Sequence, residues 1–252
     1  PSTNNLERIR QAIIALPAEA AEKHLAMLGK ELNESVNSLK PELKHRYLKA
    51  GLRVVGDHQS AEEARKLVTY YNDLLNEVML HVQVDGDTTV GHRVPFGVFV
   101  SLRYTENVGR ESGNFTRYLQ NQQSNPYWYN PYGQQPVNYR EDFEKQVREQ
   151  FGEGFEVVAV TFHEDKVQPR GFGRDKWRET PYAYLLVKAK DAAVDKLPSL
   201  HLDLDFFDRR GQVLLPVESQ VVLIDARPDK PPARPLKKIA ATLILDEREL
   251  AA

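Results

Sequence analysis

A chain of 252 residues with 34 basic and 36 acidic side chains carries a formal charge of −2, which leaves no electrostatic footprint for nucleic acid or an anionic membrane surface. Cysteine is absent, so disulfides, zinc–thiolate sites, iron–sulfur clusters and thiol nucleophiles are excluded. Hydrophobic residues make up 41% of the chain, enough for a buried core, yet no apolar run approaches the ~18 residues of a membrane-spanning helix.

The first 77 residues read as helices. Leu6, Ile9, Ile13 and Leu16 recur at helical spacing until Pro17 interrupts them. Ala21, Leu25, Leu28, Leu32 and Val36 form a second stripe. Pro41 opens a third helix carrying Leu43, Tyr47 and Val54, and Gly56 is expected to end it. Ser60 and Glu63 form a capping-box pattern ahead of Ala64, Leu67, Tyr71, Leu74, Leu75 and Val78. The expectation is an antiparallel helical bundle over 1–77, with short connections.

The period then changes from helical to alternating. Leu80, Val82 and Val84 predict a strand, followed by the turn Asp85-Gly86-Asp87. Further strands are predicted over Phe96–Tyr104, Phe155–Phe162, Pro181–Lys188 and Leu200–Phe207. In the last of these, Leu200, Leu202, Leu204 and Phe206 face inward while His201, Asp203 and Asp205 face outward. Val213–Val217 and Gln220–Ile224 return after the turn at Asp208–Gly211, with a kink at Pro216. These short strands predict an immunoglobulin-like antiparallel β-sandwich over 78–226, so the fold class is α+β. A long insertion over 105–154 interrupts it. Its second half reads as a helix with Asn138 at the N-cap, Phe143, Val147 and Phe151 on one face, and Gly152 and Gly154 as the stop. Residues 227–252 hold a stiff Pro-rich linker and a terminal strand, Ile239 to Leu245, which pairs with a sandwich edge or opens a following domain.

The first half of the insertion is unusual. From Tyr118 to Tyr139 the chain carries no charge, yet it holds five of the eleven tyrosines and one of the two tryptophans. Tyrosine and tryptophan join apolar area to a polar handle, and the Asn and Gln amides between them supply hydrogen bonds. Tyr127, Trp128, Tyr129 and Tyr132 are therefore the candidate ligand-binding residues, for a carbohydrate or protein partner. The plain alternative is an insertion whose rings cover the protein's own helices.

Chemistry-bearing candidates are sparse. His201, Asp203, Asp205 and Asp208 place oxygen and imidazole ligands along one strand, which raises the alternative of a metal-dependent binder or hydrolase using 201–208. A solvated strand face has the same pattern. Arg170, Arg174, Lys176, Trp177 and Arg178 form a basic loop able to meet an anion. The histidines are dispersed; His81 and His201 would meet if their strands were neighbours. Ser101, Ser199 and Ser219 lie in no nucleophile-elbow context. Asn33-Glu34-Ser35 and Asn114-Phe115-Thr116 match the short glycosylation pattern. With no nucleophile, base and orienting group together, the expectation is a non-catalytic protein without metal or cofactor.

The run PFGVFVSLRYT, then LHLDLDFFDRRGQVLLPVESQVVLIDA, then the Pro-rich linker and IAATLILDERE resembles uncharacterised envelope proteins of planctomycete-type bacteria. The resemblance covers about residues 78–249. It implies a multi-domain, secreted or membrane-anchored protein, an extracytoplasmic location, neighbouring domains in a longer chain, and no catalytic residue. A start at Pro1 agrees with an expected processed or excised chain.

Overall fold

The computed structural model combines helices with antiparallel sheet, and it describes residues 3–111, 139–163, 170–172, 177–208 and 211–232. Contacts divide the chain into two compact units. The first comprises 1–79, 104–118 and 203–217; the second comprises 80–103, 119–202 and 218–252.

In the first unit four helices follow the expected stripes: α1 Thr3–Ile14, α2 Ala18–Ser35, α3 Pro41–Val55 and α4 Glu62–Asn76. Helix α3 packs against each of the other three. Pro41 occupies its first turn, where a missing N–H costs nothing, and Glu42 and Arg53 sit at the ends that favour their charges. Gly56 stops it with φ 66, a left-handed geometry open to glycine, and its N–H returns to the Leu52 carbonyl. Leu48 and Tyr71 are fully buried between α3 and α4, and His45 meets the Tyr71 ring edge-on at 6.1 Å.

The start of α4 differs from the capping box. Ser60 lies in a 3-10 turn over Gln59–Ala61, where its hydroxyl donates to the Leu25 carbonyl of α2 at 3.2 Å. The cap comes instead from a distant residue. Asn33 of α2 accepts from the Ala64 N–H at 2.9 Å and donates to the Ser60 carbonyl at 2.7 Å. One amide thus satisfies an orphan donor at the helix N-terminus from across the unit. With both ends of the amide engaged, the sequon at Asn33 has a structural explanation.

Most of β7 (His201–Asp208) and β8 (Gly211–Glu218) belongs to this unit, and the two form a two-stranded sheet. Leu204, Phe206, Val213, Leu215 and Val217 are buried. Among the described residues each strand pairs on one side alone, which leaves an edge where Pro216 is accommodated.

The second unit is built on a five-stranded sheet: β1 (Val78–Val84), β2 (Phe96–Thr105), β5 (Trp177–Ala189) and β3 (Phe155–Phe162) in that spatial order, with β4 (Arg170–Phe172) also on β5. An immunoglobulin-like arrangement would divide its strands between two facing sheets. The described strands form this five-stranded sheet and two two-stranded ones, the second being β6 (Lys196–Leu197) with β9 (Val222–Leu223). Strands β3 and β5 run antiparallel from Phe155 opposite Ala189 to Phe162 opposite Ala183, with an irregularity at Val158. Along β2, Phe99 meets Tyr184 while Ser101 meets Glu179, so β2 is antiparallel to β5 as well.

Helix α6 (Tyr139–Phe151) packs on β3; the shorter α5 (Glu106–Glu111) precedes it in the chain. The apolar positions of α6, Phe143, Val147 and Phe151, are all fully buried. Phe151 stacks on Phe155 at 5.3 Å, and Phe155 touches Phe96 at 6.3 Å. Replacing Phe151 with Ala is expected to remove about 3–5 kcal/mol from the unfolding free energy of this unit, read by urea denaturation, because the sheet cannot collapse into the space. A loss below about 1 kcal/mol would mean that α6 is not part of the core.

Candidate functional site

Tyr127, Trp128, Tyr129 and Tyr132 lie outside the described residues, as do Asn114, Asn138, Arg174, Lys176 and the terminal strand Ile239–Leu245. What the structure defines is the pair of anchors on either side of the aromatic segment.

The leading anchor is α5. Val108 is fully buried, its N–H reaches the Thr105 hydroxyl at 3.5 Å, and that hydroxyl hydrogen-bonds the Glu77 carboxylate. The trailing anchor is α6, held much more firmly. Phe143, Phe162 and Tyr182 form a triangle of edge-on rings, with centroids 5.1, 5.7 and 6.1 Å apart. The Arg140 guanidinium lies 5.3 Å from the centre of the Phe162 ring and donates to the His163 carbonyl at 3.0 Å. Arg148 donates to the Val157 carbonyl at 3.1 Å while its fork grips Glu144 one turn away at 2.7 and 2.9 Å. Helix α6, which follows the aromatic segment in the chain, is thus sealed to the sheet of the second unit.

Polar atoms without partners gather on the strands beneath α6. Among the described residues the Tyr182 hydroxyl, the His163 Nε2 and the Thr161 hydroxyl are buried and make no hydrogen bond. Burial pushes the Tyr182 hydroxyl well above the ordinary tyrosine range, with Arg140 pulling weakly the other way. Burial likewise lowers His163 below the ordinary histidine range, since it disfavours the charged form. Sequence periodicity could not reveal these atoms, because Tyr182 reads as an ordinary apolar position of a strand.

A second polar group is, by contrast, mutually satisfied. Ser101 donates to Glu179 Oε1 at 2.6 Å, Arg103 Nε donates to the same oxygen at 3.0 Å, and His81 Nδ1 stands 3.6 Å away. Strands β1, β2 and β5 bring these four side chains together, although they are far apart in sequence. His81 therefore faces Glu179, and His201 belongs to a different sheet. The serine hydrogen points at the carboxylate, not at an imidazole base. Both donors stabilise the charge of the carboxylate.

Of the acidic strand, His201 and Asp203 are half-buried and each already engages another group. The side chains of Asp205 and Asp208 lie outside what the structure describes. Among the described residues no group of three or more His, Asp or Glu side chains could hold a metal ion. Trp177 and Arg178 of the basic loop fall within β5 and are half-buried. No helix among the described residues is long and apolar enough to cross a membrane.

No family model matches the chain, and no curated protein matches it.

The Glu179 group has a pH signature. Burial alone would raise Glu179, but the bonds from Ser101 and Arg103 and the charges of Arg103 and His81 outweigh it, leaving the carboxyl below its ordinary 4.5. A depressed carboxyl contributes stability above its unfolded value and loses it as the pH falls through the folded value. His81 is also lowered, chiefly by burial and then by Arg103, so its protonation below about 6.5 disfavours the fold as well. Glu179→Gln is expected to cost about 1–2 kcal/mol at pH 7 in urea unfolding, because Arg103 loses a charged acceptor. The difference from wild type should close below pH 4.5 as Glu179 itself becomes protonated. A gap that stays constant with pH would show that the carboxylate charge is not what matters.

Proposed function

We propose that this protein is a non-catalytic binding module whose contact surface is the aromatic segment carried between α5 and α6. Tyr127, Trp128, Tyr129 and Tyr132 are its contact residues, and the partner is a glycan or a protein surface. The observation that carries this reading is the sealing of α6 onto β3 and β5. The helix that follows the segment in the chain is fixed by three fully buried residues, Phe143, Val147 and Phe151. Ordering the chain there in advance reduces the entropy that binding must overcome.

Residue chemistry supports a recognition role. Tyrosine and tryptophan offer wide faces with few rotatable bonds, and the intervening Asn and Gln amides match hydroxyl-rich partners. The non-catalytic part of the reading is supported by the Ser101–Arg103–Glu179–His81 group, whose carboxylate accepts hydrogen bonds from the serine hydroxyl and the guanidinium. An extracytoplasmic setting within a longer envelope protein belongs to the same proposal and rests on the resemblance of residues 78–249. The bundle and immunoglobulin-like descriptions rest on the periodicity of the sequence, and the binding reading does not depend on either.

The test uses the two tryptophans. In a Trp177→Phe background, Trp128 is the sole indole reporter. Its emission is expected to shift when the chain is titrated with the ligand selected from a glycan array or peptide library. Changing Trp128 and Tyr129 together to Ala should abolish that binding and leave the melting temperature nearly unchanged. A large fall in melting temperature would instead identify those rings as core.

A further inference from the structure

The four helices of the first unit do not close completely on one another. Helices α1, α2 and α3 surround a cavity of about 510 Å³, within the range of small-molecule sites. Its wall is formed by Leu6, Ile9, Leu28, Leu32, Val54 and Val55, and its lining is overwhelmingly apolar. The stripe of α1, which its periodicity marks as a core face, is consequently only part-covered: Ile9 remains 48% exposed, and Leu43 on the opposite rim 43%. The space persists because α3 presents Ala50 and Gly51 to it. At Gly51 a Cβ would stand 2.4 Å from a methyl of Leu32, so Leu32 already occupies that contact and the floor cannot rise there.

The polar groups at this cavity are few and differ in kind. The Tyr47 hydroxyl is satisfied within the protein by the Ser35 hydroxyl at 3.1 Å. Arg46 and Glu31 are exposed at the mouth. Among the described residues the Arg46 guanidinium makes no hydrogen bond or ion pair, and neither does the Glu31 carboxylate. An apolar chamber with an unpaired guanidinium at its opening is complementary to a molecule that is aliphatic at one end and anionic at the other. The flat fork of arginine suits a carboxylate in particular.

We infer that the cavity between α1, α2 and α3 is a binding site for a medium-chain aliphatic carboxylate, its chain in the apolar chamber and its head group on Arg46. Glu31 works against the head group and weakens binding from the other side of the mouth. This site is independent of the aromatic segment and stands or falls separately from it.

The experiment is a calorimetric titration of the full chain with dodecanoate below its micelle concentration, with dodecyltrimethylammonium as the opposite-charge control and light scattering in parallel. One dodecanoate per chain is expected, with the cationic control binding far more weakly. Arg46→Ala should weaken dodecanoate about tenfold, the equivalent of one charge-assisted contact, with no change in melting temperature since the side chain is exposed. Glu31→Gln should strengthen it. Ala50→Phe should abolish it and raise the melting temperature, because the ring fills the chamber. The inference is overturned by absence of binding, by equal binding of the two detergents, by an Ala50→Phe variant that binds as before, or by a dimer that Leu43→Lys splits, which would make a second copy the occupant.

Discussion

Strand β5 is buried on both faces from Tyr182 to Val187, and the second unit is organised around that fact. A strand in the middle of a sheet must have cover above and below, or its apolar side chains stay in water. Strands β2 and β3 satisfy its backbone on either side, and α6 supplies side-chain cover through Phe143, while Phe151 packs on Phe155 of β3. Burial of aromatic side chains of this size stabilises by about 1.5–3 kcal/mol each, far above what the exposed ion pairs of the unit contribute. The helix is accordingly part of the core and not an ornament on an insertion.

The same constraint disciplines the neighbours of β5. The Tyr184 ring crosses β2 above Gly97, where any Cβ would stand 1.8 Å from the phenol oxygen. Glycine is therefore required at that crossing, and the hydroxyl reaches through to Asp85 at 3.0 Å. Toward the start of β5 the burial relaxes, and Glu179 gathers Ser101, Arg103 and His81 around one oxygen. Between these two satisfied positions lies Tyr182, whose hydroxyl has burial without a partner among the described residues. Unpaired buried polar atoms cost stability and are uncommon in settled cores. Here the Tyr182 ring lies against Phe143 of α6.

Much of this architecture was legible in the sequence because it is periodic. The stripe Phe143, Val147, Phe151 with glycines after it gave α6 its face and its end, and β3 runs over Phe155–Phe162 as the alternation requires. Long-range choices were not legible. Ser60 has the local signature of an N-cap, yet α2 claims its hydroxyl and Asn33 takes over the cap, a contact that no window of neighbouring residues contains. Alternation along Leu202, Leu204 and Phe206 located β7 without revealing that among the described strands it pairs with β8 alone. The short pieces β4, β6 and α5 carry too few residues for a period to register. The Glu179 group was invisible for the same reason, since its members come from three strands. The helical stripes of α1 and α3 were read correctly as apolar, and their incomplete closure around a cavity is a property of volumes rather than of pattern.

The central claim is that α6 and β5 form one core. Native-state hydrogen exchange tests it most directly, since each amide reports the free energy of the opening that exposes it. The account predicts that the amides of Phe143 to Phe151 exchange as slowly as those of Tyr182 to Val187 and respond to urea with the same slope. Exchange of α6 through a separate, low-energy opening while β5 stays protected would contradict it.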